Sequence, residues 1–175
     1  DYSGIAFCYV WPGEDHIRAH RLRRDHPDLE YEAQGKAKPR DKYLSAPGRG
    51  NLLYFTPGTV PEWLTDASLP VVITEGEKKA LALWVLAWHG LGEAAERPRF
   101  VPVAVAGVWS WRGTIGKTTG PDGGRRDVKG AIPDLARLKW EQRRVFIFFD
   151  ANVLSNSSVR AARRGLAAEL HGRGA

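Results

Sequence analysis

The chain has 175 residues, 43% of them hydrophobic and 10% aromatic, enough for one compact domain or two small ones with a real core. Its net charge of +6 suits a polyanionic partner such as nucleic acid, although lysines and arginines scattered over a soluble surface give the same sum. No apolar run approaches the roughly 18 residues of a membrane span, the start DYSGIAFCYVWPGED lacks the layout of a secretory signal, and the lone Cys8 excludes an internal disulfide or a cysteine-rich zinc knuckle.

A cytoplasmic, reducing compartment without membrane contact is therefore expected. There is no methionine, even at position 1, so the chain is read as a piece of a longer protein.

Residues 6–11 and 17–22 read as strands separated by the turn Pro12-Gly13-Glu14-Asp15. Residues 25–50 are polar and carry Gly35, Pro39, Pro47, Gly48 and Gly50, which predicts a loop with a short ordered piece at Lys42-Tyr43-Leu44. Residues 51–56 (NLLYFT) form another strand, closed by Pro57-Gly58. These elements make residues 1–69 a small β-rich (α+β) basic subdomain.

From residue 70 the pattern changes to strand, helix, strand, helix. Residues 71–74 are a β-branched strand, and 77–89 a helix with Leu81, Trp84, Val85 and Trp88 on one face, ended by Gly90 and Gly92. Residues 100–106 are a second buried strand, 107–130 a glycine-rich basic loop, and 133–140 a short helix. The run VFIFF at 145–149 is a third strand, too apolar to face water on either side. Residues 157–170 form a helix with Val159, Ala162, Leu166 and Leu170 on one face and several possible N-caps at 155–158. The alternation predicts an α/β domain over 70–175, a parallel sheet with flanking helices, which stops where one more strand is expected.

Two carboxylates occupy equivalent places. Glu75 ends the first strand of this domain (VVITEG) and Asp150 ends the third (VFIFFD), each before a helix. The carboxyl ends of parallel strands line the ligand crevice, so both acids are expected in one cleft. There they suit Mg²⁺ or Mn²⁺ and phosphoryl transfer, because such cations take oxygen ligands and keep waters. The competing reading makes them ordinary helix-start acids favoured by the helix dipole. Lys78 and Lys79 follow in the first helical turn, where positive charge opposes that dipole unless a phosphate or nucleotide binds; otherwise they are solvated surface lysines. Gly116-Lys117-Thr118 resembles the end of a phosphate-binding loop, but position 111 is Trp where that motif needs glycine, so it is rejected. Arg112, Lys117, Arg125, Arg126 and Lys129 in this loop remain candidates for contact with a nucleic-acid backbone.

Taken in order, ITEGEKKALAL, VAVAG and VFIFFDANV followed by a basic helix resemble the TOPRIM domain of DnaG-type primases, topoisomerases and some nucleases. Glu75, Gly107 and Asp150 match its pattern; Asn152 stands where that pattern has a second aspartate, keeping an oxygen ligand and losing a charge. Arg21-Leu22-Arg23, the KYL segment at Lys42 and the strand at Leu52-Leu53-Tyr54 follow the order found in the subdomain before TOPRIM in those primases. The EGEKKA and FDANV segments are more similar to TOPRIM-like domains of unknown function in plasmid and phage replication proteins.

The resemblance implies a primase-like nucleotidyltransferase that makes primers on single-stranded DNA from nucleoside triphosphates, beside a helicase or other replication domains of a longer chain. It assigns Glu75, Asp150 and Asn152 to metal binding and catalysis. Arg21, Arg23, Lys42, Lys78, Lys79 and Arg112 would hold nucleotide or nucleic-acid phosphates. A non-catalytic nucleic-acid-binding module and a TOPRIM nuclease are the alternatives.

Overall fold

Two groups of elements pack independently, Asp1–Arg49 and Gly50–Ala175. The computed structural model describes residues 2–31 and 35–175, apart from the side chain of Asn152. In the first unit, β1 (Gly4–Val10), β2 (Ile17–Arg24) and β5 (Tyr43–Ser45) form an antiparallel sheet in the order β1-β2-β5. Alternate residues of β1, Phe7 and Tyr9, are buried, as is Trp11 just beyond it. Gly4 lets β1 close against β2, since a Cβ there would lie 2.1 Å from the Arg23 carbonyl oxygen. The stretch expected to be loop also holds a small hairpin, β3 (Leu29–Tyr31) with β4 (Ala37–Pro39). All six of its strand residues are exposed, so no apolar alternation marks it in the sequence.

The second unit is mixed α/β. Its elements are β6 (Tyr54–Phe55), α1 (Glu62–Thr65), β7 (Val71–Glu75), α2 (Glu77–Trp88), β8 (Val101–Val105), β9 (Arg112–Thr119), β10 (Arg125–Ala131), β11 (Val145–Phe148) and α3 (Ser157–Gly172). A four-stranded sheet runs β11-β7-β8-β6, with β11, β7 and β8 parallel and β6 antiparallel to β8. The parallel sheet expected from the strand–helix alternation is thus present, with one antiparallel edge. That edge comes from residues 51–56, which lie with the second unit and not, as composition suggests, with residues 1–69. Tyr54 and Phe55 register against Ala104 and Val103, and Leu53, Tyr54 and Phe55 are all buried. Backbone pairing outweighs the polar linker composition around them.

Three further expectations change. The buried face of α2 is Glu77, Ala80 and Ala87, while Val85 is 68% exposed. The alanines let the helix lie close on the sheet and turn its large residues sideways, where Trp84 and Trp88, 5.7 Å apart, meet Trp63 of α1 at 6.1 and 6.0 Å between ring centres. The glycine-rich segment 107–130 is no loop for most of its length, because β9 and β10 form an antiparallel ribbon. Finally, β11 does face water: Phe146 and Phe148 are about half exposed and line an open recess with Val72 and Phe100. β11 ends the strand order and pairs only with β7 among the described residues, so one side lacks cover.

The helix α3 is as expected. Val159, Ala162, Leu166 and Leu170 are buried, and the Asn156 side chain caps it by accepting from the Ser158 and Val159 amides.

Beneath the sheet end near α1, Arg143 is only 1% exposed. Its guanidinium donates to the carbonyls of Leu69, Leu64, Lys139 and Trp63. Burial pushes it down to about 10, against the opposing pull of the Asp66 carboxylate, so it stays charged at neutral pH.

Asp66 is held below the ordinary carboxylate value, first by hydrogen bonds from the Ser68 hydroxyl and amide and then by the Arg97 and Arg143 charges. A lowered folded-state value stabilises the fold above the unfolded value of 3.8 and is lost as pH falls through the folded value. The gap in melting temperature between the parent and Asp66→Asn should therefore be present at pH 7 and shrink on acidification below 3.8. A gap that widens in acid would contradict this account.

Candidate active site

The two acids predicted to share a cleft leave adjacent strands at the same end. Thr74 registers with Phe148, and its hydroxyl donates to the Phe148 carbonyl at 2.9 Å, which ties the ends of β7 and β11 together. Glu75, the last residue of β7, is half-buried. Asp150 lies two residues beyond β11 and half of its side chain is exposed. Gly76 makes the turn from β7 into α2 at φ 84°, a conformation glycine adopts without the Cβ penalty. Its amide donates to the Val105 carbonyl at 2.8 Å, so the start of α2 is pinned to the end of β8 as well.

That turn aims the first residues of α2 across the strand ends. The Lys79 ammonium donates to Asp150 Oδ1, an ion pair between α2 and the segment after β11. Lys79 is thus engaged by a protein carboxylate rather than waiting unpaired at the helix start, as its position against the dipole suggested. Lys78 is exposed. Between Glu75 and the lysines in the chain, Glu77 is wholly buried in the first turn of α2. Sequence reasoning passed over Glu77, and the signal for it was its alignment with Ala80 and Ala87 on one face.

Asn152 belongs to the 3₁₀ turn Ala151–Leu154, whose first hydrogen bond runs from the Val153 amide to the Asp150 carbonyl at 2.9 Å. The Asn152 side chain lies outside the described residues. Gly107 opens a tight turn after β8, its carbonyl accepting from the Ser110 amide at 2.8 Å. Arg112 stands at the root of the ribbon with its guanidinium 5.7 Å from the Trp111 ring centre.

The remaining predicted residues belong to the first unit. Arg21 lies 4.4 Å over the Tyr43 ring, and Arg23, two residues on along β2, comes within 4.0 Å of Asp25. Lys42 is exposed and its carbonyl accepts from the Arg24 amide. The nearby Arg24 is buried and bound to Asp28 at 3.0 Å, which makes it a structural arginine.

Among the described residues no group of three His, Cys, Asp or Glu side chains is disposed to hold a metal ion. Two carboxylates at paired strand ends form a different kind of donor set. Mg²⁺ is commonly held by one or two carboxylates, with substrate phosphates and water completing its shell. Glu75 and Asp150, one at the end of β7 and one beyond its paired strand β11, are too few donors for an all-protein cage.

Fold and site together define a mixed α/β domain with a carboxylate–lysine cluster at the carboxyl end of a parallel sheet. The chain belongs to the family described as a domain of unknown function, DUF3854, whose model matches residues 61–175, well over half of the chain. The matched stretch takes in β7, β8, β11 and the whole cluster, and leaves out the first unit. Neither the curated proteins nor the solved structures offer a match to this chain.

Proposed function

We propose that the second unit is a TOPRIM-like catalytic domain and that the chain performs primase-type nucleotidyl transfer on single-stranded DNA, in the replication of a mobile element. The observation that carries this reading is the placement of Glu75 and Asp150 at the ends of paired parallel strands, with Lys79 paired to Asp150. The order of motifs around them, and the surplus of positive charge, support it.

In this reading Glu75 and Asp150, with Asn152, hold Mg²⁺ or Mn²⁺, which when bound neutralises charge developing on the phosphate oxygens. Glu75 also accepts the proton of the attacking 3′-hydroxyl. Lys78 and Lys79 meet the nucleotide phosphates, and Lys79 exchanges Asp150 for a phosphate oxygen as the nucleotide arrives. Arg21, Arg23 and Lys42 of the first unit, and Arg112, supply contacts to template and primer phosphates. No helix of the described residues is long and apolar enough to cross a membrane. We place the activity in the cytoplasm, with helicase or other replication domains as partners.

The test is incubation of the chain with a single-stranded template, labelled nucleoside triphosphates and Mg²⁺ or Mn²⁺. Labelled primers support the proposal. Cleavage of the template without nucleotides points instead to a nuclease. Metal-independent, salt-sensitive DNA binding with no product points to a binding module, which the existing Lys79–Asp150 pair would equally suit.

The ion pair gives a separate expectation. Lys79→Met removes the cation that competes for Asp150 and should raise the affinity for Mn²⁺ alone by about two- to fivefold, the scale of an exposed pair. Calorimetric titration without nucleotide reads this directly. A fall in affinity would mean that Lys79 positions Asp150 for the metal instead of competing with it.

A further inference from the structure

The β9–β10 ribbon belongs to no core. Residues 114–119 and 121–129 are all exposed, so both of its faces meet water. A two-stranded hairpin with no face to bury is marginal in water, and its place in the chain calls for another role.

Its root is firm. Trp111 and Ile132 are buried and joined by a hydrogen bond from the Ile132 amide to the Trp111 carbonyl at 3.1 Å. The Asn51 side chain donates to the Arg112 carbonyl at 2.8 Å. That root follows β8, whose end is registered with Glu75 through Val105. The connecting Trp109 donates to the Ser158 hydroxyl at the start of α3, the helix that follows Asp150. The ribbon therefore rises from the sheet end that carries the acids.

The ribbon carries five basic side chains, Arg112, Lys117, Arg125, Arg126 and Lys129, against Asp122 and Asp127. Two of the five are held internally: Arg126 pairs with Asp122 at 3.0 Å, and Lys129 with Asp127 at 3.2 Å. Lys117 and Arg125 are exposed. Lys117 registers with Asp127, and Arg125 lies two residues along the same strand, so the two cations share a face as diagonal neighbours about 7–8 Å apart at the backbone. Eight residues of β9 span about 27 Å, and a two-stranded ribbon is one of the shapes that the roughly 12 Å major groove admits. Neither strand contains an aromatic residue, whereas single-stranded nucleic acid is gripped by stacking on aromatic platforms.

We infer that the β9–β10 ribbon is an arm that grips double-stranded nucleic acid through its backbone phosphates, with Lys117 and Arg125 as the principal contacts. The inference deepens the nucleotidyl-transfer reading, and rests on it for the identity of the duplex, the template paired with its new primer. Binding itself is independent of metal and nucleotide.

The test is fluorescence anisotropy in EDTA, with a labelled DNA duplex and the matching single strand, across a series of KCl concentrations. The parent chain is compared with Lys117→Gln/Arg125→Gln and with the charge-conserving Lys117→Arg/Arg125→Lys. For the duplex, the slope of log affinity against log salt should fall in magnitude by about 2 in the glutamine variant, about one unit per lost phosphate contact. It should stay at the parent value in the conserving variant, and single-strand affinity should change by about threefold or less in both. An unchanged duplex slope, an equal loss on the single strand, or a parent chain that ignores duplex overturns the arm. Synthesis by the parent chain together with an unchanged duplex slope would remove the arm and leave nucleotidyl transfer standing. A duplex slope that falls by about 2 in the glutamine variant, with no synthesis by the parent chain, would do the reverse.

Discussion

Replacing Arg143 with methionine should destabilise the second unit by about 3–5 kcal/mol, the cost of stripping a partner from a buried, hydrogen-bonded ionic site. The guanidinium gathers carbonyls that no regular element satisfies. Trp63 and Leu64 belong to the four-residue helix α1, whose carbonyls have few intrahelical donors. Leu69 precedes β7, and Lys139 lies in the segment before β11. One side chain thus ties α1 to the entrances of two parallel strands. Methionine fills much of the volume and donates nothing, leaving the buried Leu69 oxygen without this donor and the part-buried Trp63 and Lys139 oxygens short of one, while Leu64 keeps the Lys139 amide. Lysine keeps the charge but lacks the planar fork, and should recover only part of the loss. Chemical denaturation of the three proteins measures this. A loss below about 1 kcal/mol for methionine would show that water or the neighbouring backbone replaces the anchor.

Glu75→Gln should lower primer synthesis by about 10²–10⁴-fold while leaving the melting temperature close to the parent value. The substitution keeps the size of a half-buried side chain at the end of β7 and removes its charge and its basicity. The turn at Gly76 and the register with Val105 are backbone features and do not depend on the carboxylate. Mn²⁺ titration of the same protein separates the two duties assigned to Glu75. Lost metal binding together with lost synthesis supports a ligand role. Retained metal binding with lost synthesis leaves the proton-accepting role. A folded Glu75→Gln chain that still makes primers at the parent rate would end the assignment of this site.

The acid pair was legible because its signal is local. Each carboxylate ends a β-branched or aromatic run and precedes a helix, and parallel strands bring such ends together by topology alone. The amphipathic pattern of α3 was legible for the same reason, since Val159, Ala162, Leu166 and Leu170 recur at helical spacing. The face of α2 was not, because its large residues are the most hydrophobic and its buried ones are alanines. Packing distance to the sheet, which no periodicity records, chose between them.

The β9–β10 ribbon was hidden by composition. Glycine, threonine and charged residues read as loop, and cross-strand pairing with no core beneath it leaves no apolar alternation. The engagement of Lys79 by Asp150 joins residues 71 positions apart and is invisible to any local pattern.

By itself the sequence determined the strand–helix alternation of the second unit, the strand-end positions of Glu75 and Asp150, and the basic character of the segment after β8, because periodicity, turn residues and charge are properties of neighbours in the chain. Only the tertiary structure decided that residues 54–55 join the second unit, that α2 packs on its alanines, that Arg143 anchors α1, and that the basic segment stands out as a ribbon. Each of these depends on which distant backbone supplies a hydrogen-bond partner, and on how closely two surfaces can approach.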